Sequence, residues 1–269
     1  MTSANEVISV LMRLPAASLT ALASALLAGT LRRGFSAKSL SPFCGDMSPE
    51  VEQALRHLVN TGSTVVNLSF LCQGLGAALA ERDKVERGVQ VVLSGPEIVG
   101  TPVVDTRTTV LSLFEEAQHD VLVTSYVFHK AADLFELLAR KHDANPKLHV
   151  TFVVDVSHSR KSPEDTMPQL AQAFGANFRH NHWPGKRVPE IWHDPRCFEV
   201  TTANRGILHA KTIVVDRKIA FVTSANFTEA AQDRNIEAGV LIRLPRIAER
   251  LHAYLSGLIS TNVLRRINC

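Results

Sequence analysis

The sequence has few residues of the kinds that mark unusual protein classes. Its 269 residues include only 12 prolines and 14 glycines, while 45% are hydrophobic, which excludes a disordered or collagen-like chain. The 4 cysteines lie far apart without a CxxC pair, so we expect reduced, mostly buried thiols. Charge of one sign is also scarce, with 29 Lys and Arg against 26 Asp and Glu. Any nucleic-acid contacts must therefore be local, because a uniformly basic surface is excluded.

Long hydrophobic runs are nearly lacking as well. Residues 14–31 come close to the roughly 18–20 residues that a membrane helix needs, but Leu19, Leu22 and Leu26 recur at helical spacing among serines and threonines. The opening MTSANEV has no positive charge, and Pro15 interrupts the apolar segment, unlike a signal peptide. We therefore expect an amphipathic helix, no stable membrane insertion and a cytoplasmic protein.

Two patterns divide the chain after residue 95. Residues 1–95 are mainly helical in pattern, which predicts a small all-helical domain with helices at 15–30, 48–60 and 67–87. Residues 96–269 alternate strands with helices, which predicts an α/β domain with a mostly parallel sheet flanked by helices. Its helices are expected at 105–119, 131–142, 166–174 and 245–260, and strands at 121–128, 148–156, 212–215, 219–222 and 238–244.

One segment of the second domain has a pattern suited to catalysis. The sequence ILHAKTIVVD at 207–216 contains H-x-K-x4-D. On a strand, His209 and Lys211 point to the same face. An imidazole beside an ammonium is unfavourable unless an anion bridges them, and a phosphate is such an anion.

Three polar residues that follow complete this pattern. Ser224 and Asn226 provide neutral hydrogen-bond donors for an oxyanion. The carboxylate of Glu237 is suited to accept from one imidazole nitrogen, leaving the other free to attack. The set contains no cage of carboxylates for Mg²⁺. The sequence therefore predicts phosphoryl chemistry without a metal or another cofactor.

These residues resemble the HKD motif of the phospholipase D superfamily, followed by that family's G-S-x-N element. Thr223 stands where the family usually has glycine. The resemblance implies a phospholipase D-like fold and a phosphodiesterase that forms a phosphohistidine intermediate. It further implies a role for each residue: nucleophile for His209, phosphate-oxygen ligands for Lys211 and Asn226 with help from Ser224, imidazole orientation for Glu237, and attachment of the motif's strand for Asp216.

The family's mechanism needs two histidines, and the sequence has one motif. His129-Lys130 in the first half lacks both the spacing and a following S-x-N. Members of the family with a single motif pair two chains around a two-fold axis, which brings both histidines into one site. The resemblance therefore implies a homodimer.

The chain as a whole is similar to the DrmC family, the phospholipase D-like component of DISARM anti-phage systems. This likeness implies a nucleic acid substrate, with DNA favoured, and other defence proteins as partners. Two alternatives stay open. One is a phospholipase D-type lipid hydrolase, and the other is a non-catalytic scaffold subunit of a defence complex.

A segment between the predicted strands combines aromatic and basic residues. Trp183, Lys186, Arg187 and Trp192 are candidates for stacking bases and neutralising phosphates. The alternative is an ordinary polar loop whose tryptophans belong to the core. A zinc site is a further alternative for this segment, and its ligands would be His180, His182, His193 and Cys197.

Asp155 and His158 lie at the end of a predicted buried strand. They are expected either to cap the end of that strand or to approach the active site.

Overall fold

The computed structural model describes residues 3–31, 35–96, 104–159, 162, 164–199 and 205–268. By its internal contacts the chain forms two compact units, Met1–Arg87 and Gly88–Cys269. Strand β1 (Val89–Ser94) pairs within the second unit. The second unit therefore begins one strand earlier than the predicted division after residue 95. That the two units are separate folding domains stays a prediction.

The described part of the first unit consists of helices. They are α1 (Ala4–Met12), α2 (Ala16–Leu27), α3 (Ala37–Cys44), α4 (Ser48–Asn60) and α5 (Val65–Arg87). Their apolar faces enclose one core. The prediction missed α1 and α3, which are too short for a clear periodicity. Each begins with a capping box, formed by Ser3 with Glu6 and by Ser36 with Ser39, which satisfies backbone donors of the first turn.

None of the described helices is by itself long and apolar enough to cross a membrane. Helices α1 and α2 pass the same test only as a pair, and a bend of 115° separates them. The leucines of α2 that the sequence placed at helical spacing, Leu19, Leu22 and Leu26, are buried in the core of the first unit.

The second unit is built on an eight-stranded sheet with the order β1-β9-β7-β6-β2-β4-β5-β10. Strands β3 and β8 form a separate pair. After β1, the strands are β2 (Asp120–Ser125), β3 (Phe128–His129), β4 (His149–Val154), β5 (Glu190–His193), β6 (Thr212–Val215), β7 (Ile219–Thr223), β8 (Phe227–Thr228), β9 (Glu237–Ile242) and β10 (Arg265–Ile267). The helices are α6 (Thr106–Glu116), α7 (Ala132–Ala144), α8 (Met167–Asn181), α9 (Glu229–Asp233) and α10 (Pro245–Ser260).

The α/β fold with helices flanking the sheet is confirmed, but the sheet is mixed rather than mostly parallel. Among the described strands of the large sheet, β2–β4 and β4–β5 are the parallel pairs, because α7 and α8 provide the crossovers between these strands. The neighbours β6 and β7 are antiparallel. Asp216 and Arg217 in their turn have φ of 51° and 56°, the left-handed conformation that favours a tight hairpin.

Both faces of the sheet are covered by apolar side chains. One face packs against α6, α7 and α8 through an aromatic core that includes Phe114, Phe135, Phe152 and Phe178. The other face packs Leu122, Val153, Val214 and Ala220 against Ala248 and Leu255 of α10. The described strands thus form a sheet that is buried on both faces, and the polar segments lie at its edges.

Candidate active site

The H-x-K segment lies directly before β6, not on it. Strand β6 begins at Thr212, whose amide donates to Thr124 Oγ1 at 2.9 Å and whose hydroxyl lies 3.0 Å from the same atom. These bonds hold the segment against the end of β2. His209 is exposed, whereas Lys211 is only 6% exposed. The assumption that both residues lie on a strand is not met, because the strand begins one residue after Lys211, although the Lys211 backbone oxygen still accepts from the Thr223 amide at 3.1 Å.

Tyr126 is the residue that brings the two motif side chains together. Its ring lies 4.8 Å from the His209 ring in an edge-to-face arrangement, and Lys211 Nζ lies 5.3 Å from its centroid. The Lys211 ammonium also donates to the backbone oxygen of His209 at 2.8 Å. Sequence reasoning missed Tyr126, because it placed this residue inside the predicted strand 121–128, whereas β2 ends at Ser125.

The Lys211 ammonium is in an environment that favours deprotonation. Burial lowers the pKa of Lys211 below the ordinary lysine value, while the Glu237 carboxylate opposes this by favouring the charged form. The attraction of the cation to the Tyr126 ring and its bond to the His209 carbonyl partly replace lost water. Lys211 is thus a desolvated cation beside an exposed imidazole.

Glu237 is held by the polar residues around it. Its carboxylate accepts from the Ser224 hydroxyl and, at 3.2 Å, from Asn235 Nδ2. Ser224 Oγ in turn accepts from the amide of Ala238 at 3.1 Å. Among the bonds of the described residues, Ser224 therefore serves Glu237 rather than pointing a free donor at a phosphate. The predicted bond from His209 to Glu237 is not among them, so that role stays a prediction.

Asn226 lies in the connection between β7 and β8. Its backbone oxygen accepts from the Thr228 amide at 2.8 Å and from Gln232 Nε2 at 3.1 Å. Its Oδ1 atom is buried without a hydrogen-bond partner in the described chain. This atom is an unused acceptor at the same edge as Ser224, and the predicted donation from the Asn226 amide group to a phosphate oxygen stays a prediction.

Asp216 lies at the other end of β6 and acts on the backbone. Its carboxylate accepts from the amides of Gln118, His119 and Asp120 at 3.0, 2.7 and 2.8 Å. Because His209 and Asp216 flank opposite ends of β6, the carboxylate ties this strand to β2 and has no contact with the motif's histidine. The supporting role implied for Asp216 stays a prediction, which the stability of a variant tests.

Replacing Asp216 with alanine is expected to lower the free energy of unfolding by about 1–3 kcal/mol, because three amides lose a charged acceptor. Urea unfolding measures the change, with Lys218→Ala in the same turn as the control. The rate per folded molecule should stay within about twofold of the wild type. A large loss of rate with unchanged stability would contradict the supporting role.

Three of the four aromatic and basic candidates lie away from this edge. Trp183 is 2% exposed in the aromatic core, and its Nε1 donates to the Arg187 backbone oxygen at 2.8 Å. Arg187 donates to the backbone oxygens of His142 and Asn145, and the amide of Lys186 to Asp143. These residues precede β5 and so lie at the amino end of the parallel strands, opposite His209. Trp192 lies within β5 and packs on the side of α10.

The zinc alternative finds no support in the described residues, which contain no group of three or more His, Cys, Asp or Glu placed to hold a metal ion. His182 lies 3.3 Å from the Asn177 side chain, and burial lowers the pKa of both His182 and His193. Cys197 is buried, which raises the pKa of its thiol to about 12. These groups are polar members of the core.

Comparisons with known proteins give one matching family profile. A family profile described as "Cardiolipin synthase, PLD-like domain" matches residues 110–259, which is more than half of the chain and includes the segment from His209 to Glu237. No curated protein sequence matches the chain.

Several solved structures are similar to the chain. Nuc from Salmonella typhimurium, a phospholipase D family member, is 24% identical over 67% of this chain and 98% of its own, with a TM-score of 0.44. NucT from Helicobacter pylori is 14% identical over 67% and 99%, with a TM-score of 0.45. Phosphatidylserine synthase from Haemophilus influenzae Rd KW20 is 13% identical over 77% and 48%, with a TM-score of 0.44.

Proposed function

Because the chain belongs to the phospholipase D-like family, we propose that it is a metal-independent phosphodiesterase that cleaves nucleic acid. The observation that carries the proposal is the exposed His209 imidazole beside the desolvated Lys211 ammonium, both packed on Tyr126. Ser224, Asn226 and Glu237 belong to the same edge. This set provides a nucleophile and charge stabilisation, and it contains a single carboxylate rather than the several oxygen ligands that Mg²⁺ prefers.

The proposed reaction has two steps. The neutral His209 imidazole attacks phosphorus and forms a P–N bond, while the P–O bond to the leaving oxygen breaks and that oxygen takes a proton from a second imidazole. The second imidazole then removes a proton from water, which attacks phosphorus and releases His209 with a phosphate monoester. The Lys211 ammonium stabilises the negative oxygens in both transition states.

The second imidazole is proposed to be His209 of a second copy. Apolar side chains support this pairing, because three of them are exposed immediately beside the site residues. We call these the apolar rim: Ile207 is 48%, Val222 42% and Ile236 83% exposed. They precede His209, Ser224 and Glu237 by one or two positions. Exposed apolar side chains grouped at a functional edge are typical of an interface.

Replacing Ile236 with glutamate is therefore expected to shift the particle mass from dimer to monomer and to reduce cleavage by about 10²- to 10⁴-fold, the contribution of general acid catalysis. Tyr254→Glu on α10, where Tyr254 is 65% exposed, is the control and should leave mass and rate unchanged. A monomeric Ile236→Glu variant with full activity would contradict the pairing.

The resemblance to DrmC supports the finer part of the proposal, in which the substrate is invading phage DNA and the partners are other defence proteins of a DISARM-like system. Under this proposal, the chain protects host cells from phage only together with those proteins. His209→Ala should remove the protection.

The experiment that tests the function gives the wild-type protein single- and double-stranded DNA, RNA and phospholipid vesicles in excess EDTA, with the particle mass measured in parallel. Cleavage of nucleic acid by a dimer supports the proposal. Release of headgroups without cleavage of nucleic acid would replace it with a lipid hydrolase. An intact dimer that cleaves nothing would favour the scaffold alternative or an enzyme that needs partners.

A further inference from the structure

Tyr126 and His158 form an aromatic pair that the proposed reaction does not use. Their ring centroids lie 4.2 Å apart in an edge-to-face arrangement with 73° between the planes. The same Tyr126 ring contacts His209 at 4.8 Å. The distance between the two imidazole centroids therefore cannot exceed the sum of these two distances. His158 thus lies at the wall of the site.

The position of His158 is set by the sheet. Strands β2 and β4 are parallel neighbours in register from Asp120–His149 to Ser125–Val154. Their carboxyl ends therefore meet, which brings Tyr126 beside the turn Ser157–Ser159 that carries His158. Buried Asp155 fixes this turn, since its carboxylate accepts from the Ser157 amide at 2.8 Å and from the Ser157 hydroxyl. Asp155 thus caps the strand end and positions the imidazole after it.

His158 is exposed on this fixed turn, so a flat group can reach its ring. We propose that the exposed His158 ring, supported by Tyr126, stacks on a nucleobase next to the scissile phosphate. This inference rests on the proposed function and assigns to it a subsite for the base. Aromatic side chains that hold bases by stacking are the usual means of binding single strands without sequence preference.

The charges around the pair favour an uncharged base over the cationic headgroup of a lipid. The Lys211 ammonium already lies 5.3 Å from the Tyr126 centroid, so a quaternary ammonium ligand would meet a like charge at the ring that would otherwise attract it. A neutral base avoids this repulsion and brings its phosphate towards the same ammonium. The pair thus disfavours a cationic headgroup and accepts a neutral base.

Binding to the full chain tests the inference separately from catalysis. Fluorescence anisotropy is measured in EDTA on a His209→Ala background, which prevents cleavage. One probe is a labelled single-stranded DNA, and the second is the same strand with its central nucleotides replaced by abasic residues. The variants add His158→Ala or His158→Phe. His149→Ala is the matched control, because His149 is an exposed imidazole at the opposite end of β4.

Adding His158→Ala is expected to weaken binding of the normal strand by about 5- to 100-fold, as loss of one stacked base does. The abasic strand should bind equally with and without the change. His158→Phe should keep the affinity for the normal strand, and His149→Ala should change neither. Equal affinity of the His158→Ala and parent proteins for normal DNA would overturn the inference. An equal loss of affinity for the normal and the abasic strand would also overturn it, as would a parent protein that binds neither strand.

Failure of the base subsite can be distinguished from failure of the proposed function. Cleavage of DNA by the wild-type chain without any effect of His158 on binding overturns only the base subsite. Release of lipid headgroups without cleavage of DNA overturns the proposed function itself.

Discussion

Replacing His209 with alanine is expected to reduce cleavage in EDTA by at least about 10³-fold, because the reaction then lacks its nucleophile. The loss should come without a loss of stability, since the His209 side chain is exposed and its ring packs edge-to-face on Tyr126 without burying it. The measurement is kcat/KM on labelled DNA, together with the thermal unfolding midpoint. His149→Ala, which removes an exposed imidazole far from the motif, should retain the wild-type rate.

The wild type should also form a covalent phosphoenzyme during turnover. Rapid quenching at alkaline pH preserves a phosphorus–nitrogen bond, and mass spectrometry of the digested protein should find the phosphate on the peptide that contains His209. Cleavage that persists in the alanine variant would point to another site and would contradict the mechanism. So would a phosphate found on a different residue.

Mixing the wild type with His209→Ala also distinguishes one shared site from two separate ones. If both imidazoles of a dimer act in one site, a mixed dimer has no complete pair. After random exchange of equal amounts, the mixture should have about a quarter of the activity of the same total amount of wild type, whereas independent subunits would give about half. These fractions apply when the measured mass shows that both proteins are dimers.

Local signals in the sequence were enough to predict several elements to their observed ends. The prediction placed α4 at 48–60, α10 at 245–260 and β6 at 212–215, and the structure has these bounds. Both helices have proline in the first turn, where its fixed φ favours helix formation and its missing amide is not needed. Boundaries with such a signal depend little on the rest of the fold.

Elements that depend on tertiary contacts were missed. Strand β5 has four residues and β10 has three, and they pair with each other at the end of the sheet. Helix α8 was expected to end at Phe174, before Gly175, but it continues to Asn181. Gly175 is buried within that helix, so packing outweighs the low helix propensity of glycine.

The residues of the candidate site also divide into those that local patterns identify and those that tertiary contacts place. The H-x-K and S-x-N patterns are local, so they identified the segments at the functional edge. Trp183 was a candidate for stacking bases because it stands beside basic residues, yet the structure buries it among phenylalanines. Tyr126 and His158 meet only because β2 and β4 are parallel neighbours, a pairing that no local pattern specifies.

Replacing Lys211 with methionine is expected to reduce kcat by about 10²- to 10³-fold, the effect of losing one charge stabiliser in a transition state. Methionine keeps an unbranched apolar side chain of similar length, so the packing on Tyr126 is preserved. Steady-state rates on DNA in EDTA measure the loss. Lys218→Met, which changes an exposed lysine in the β6–β7 turn, is the control and should have no effect on the rate.

The same substitution should raise the stability of the fold at neutral pH. Burial lowers the pKa of Lys211 in the folded state, so between the folded and the ordinary lysine pKa the unfolded chain binds more protons. Stability then rises with pH in that window, and below it the full cost of the buried charge is present. The stabilising effect of methionine should therefore be largest at neutral pH and shrink as pH rises towards the ordinary pKa of lysine.

The activity of the wild type should fall as pH rises, although its stability increases, because catalysis needs the charged form of Lys211. The wild-type rate should begin to fall at a pH below the ordinary lysine value of 10.5. A less stable and inactive Lys211→Met protein would indicate that the ammonium serves the fold. A more stable protein without activity would show that the chain keeps a buried charge for catalysis at a cost to its own stability.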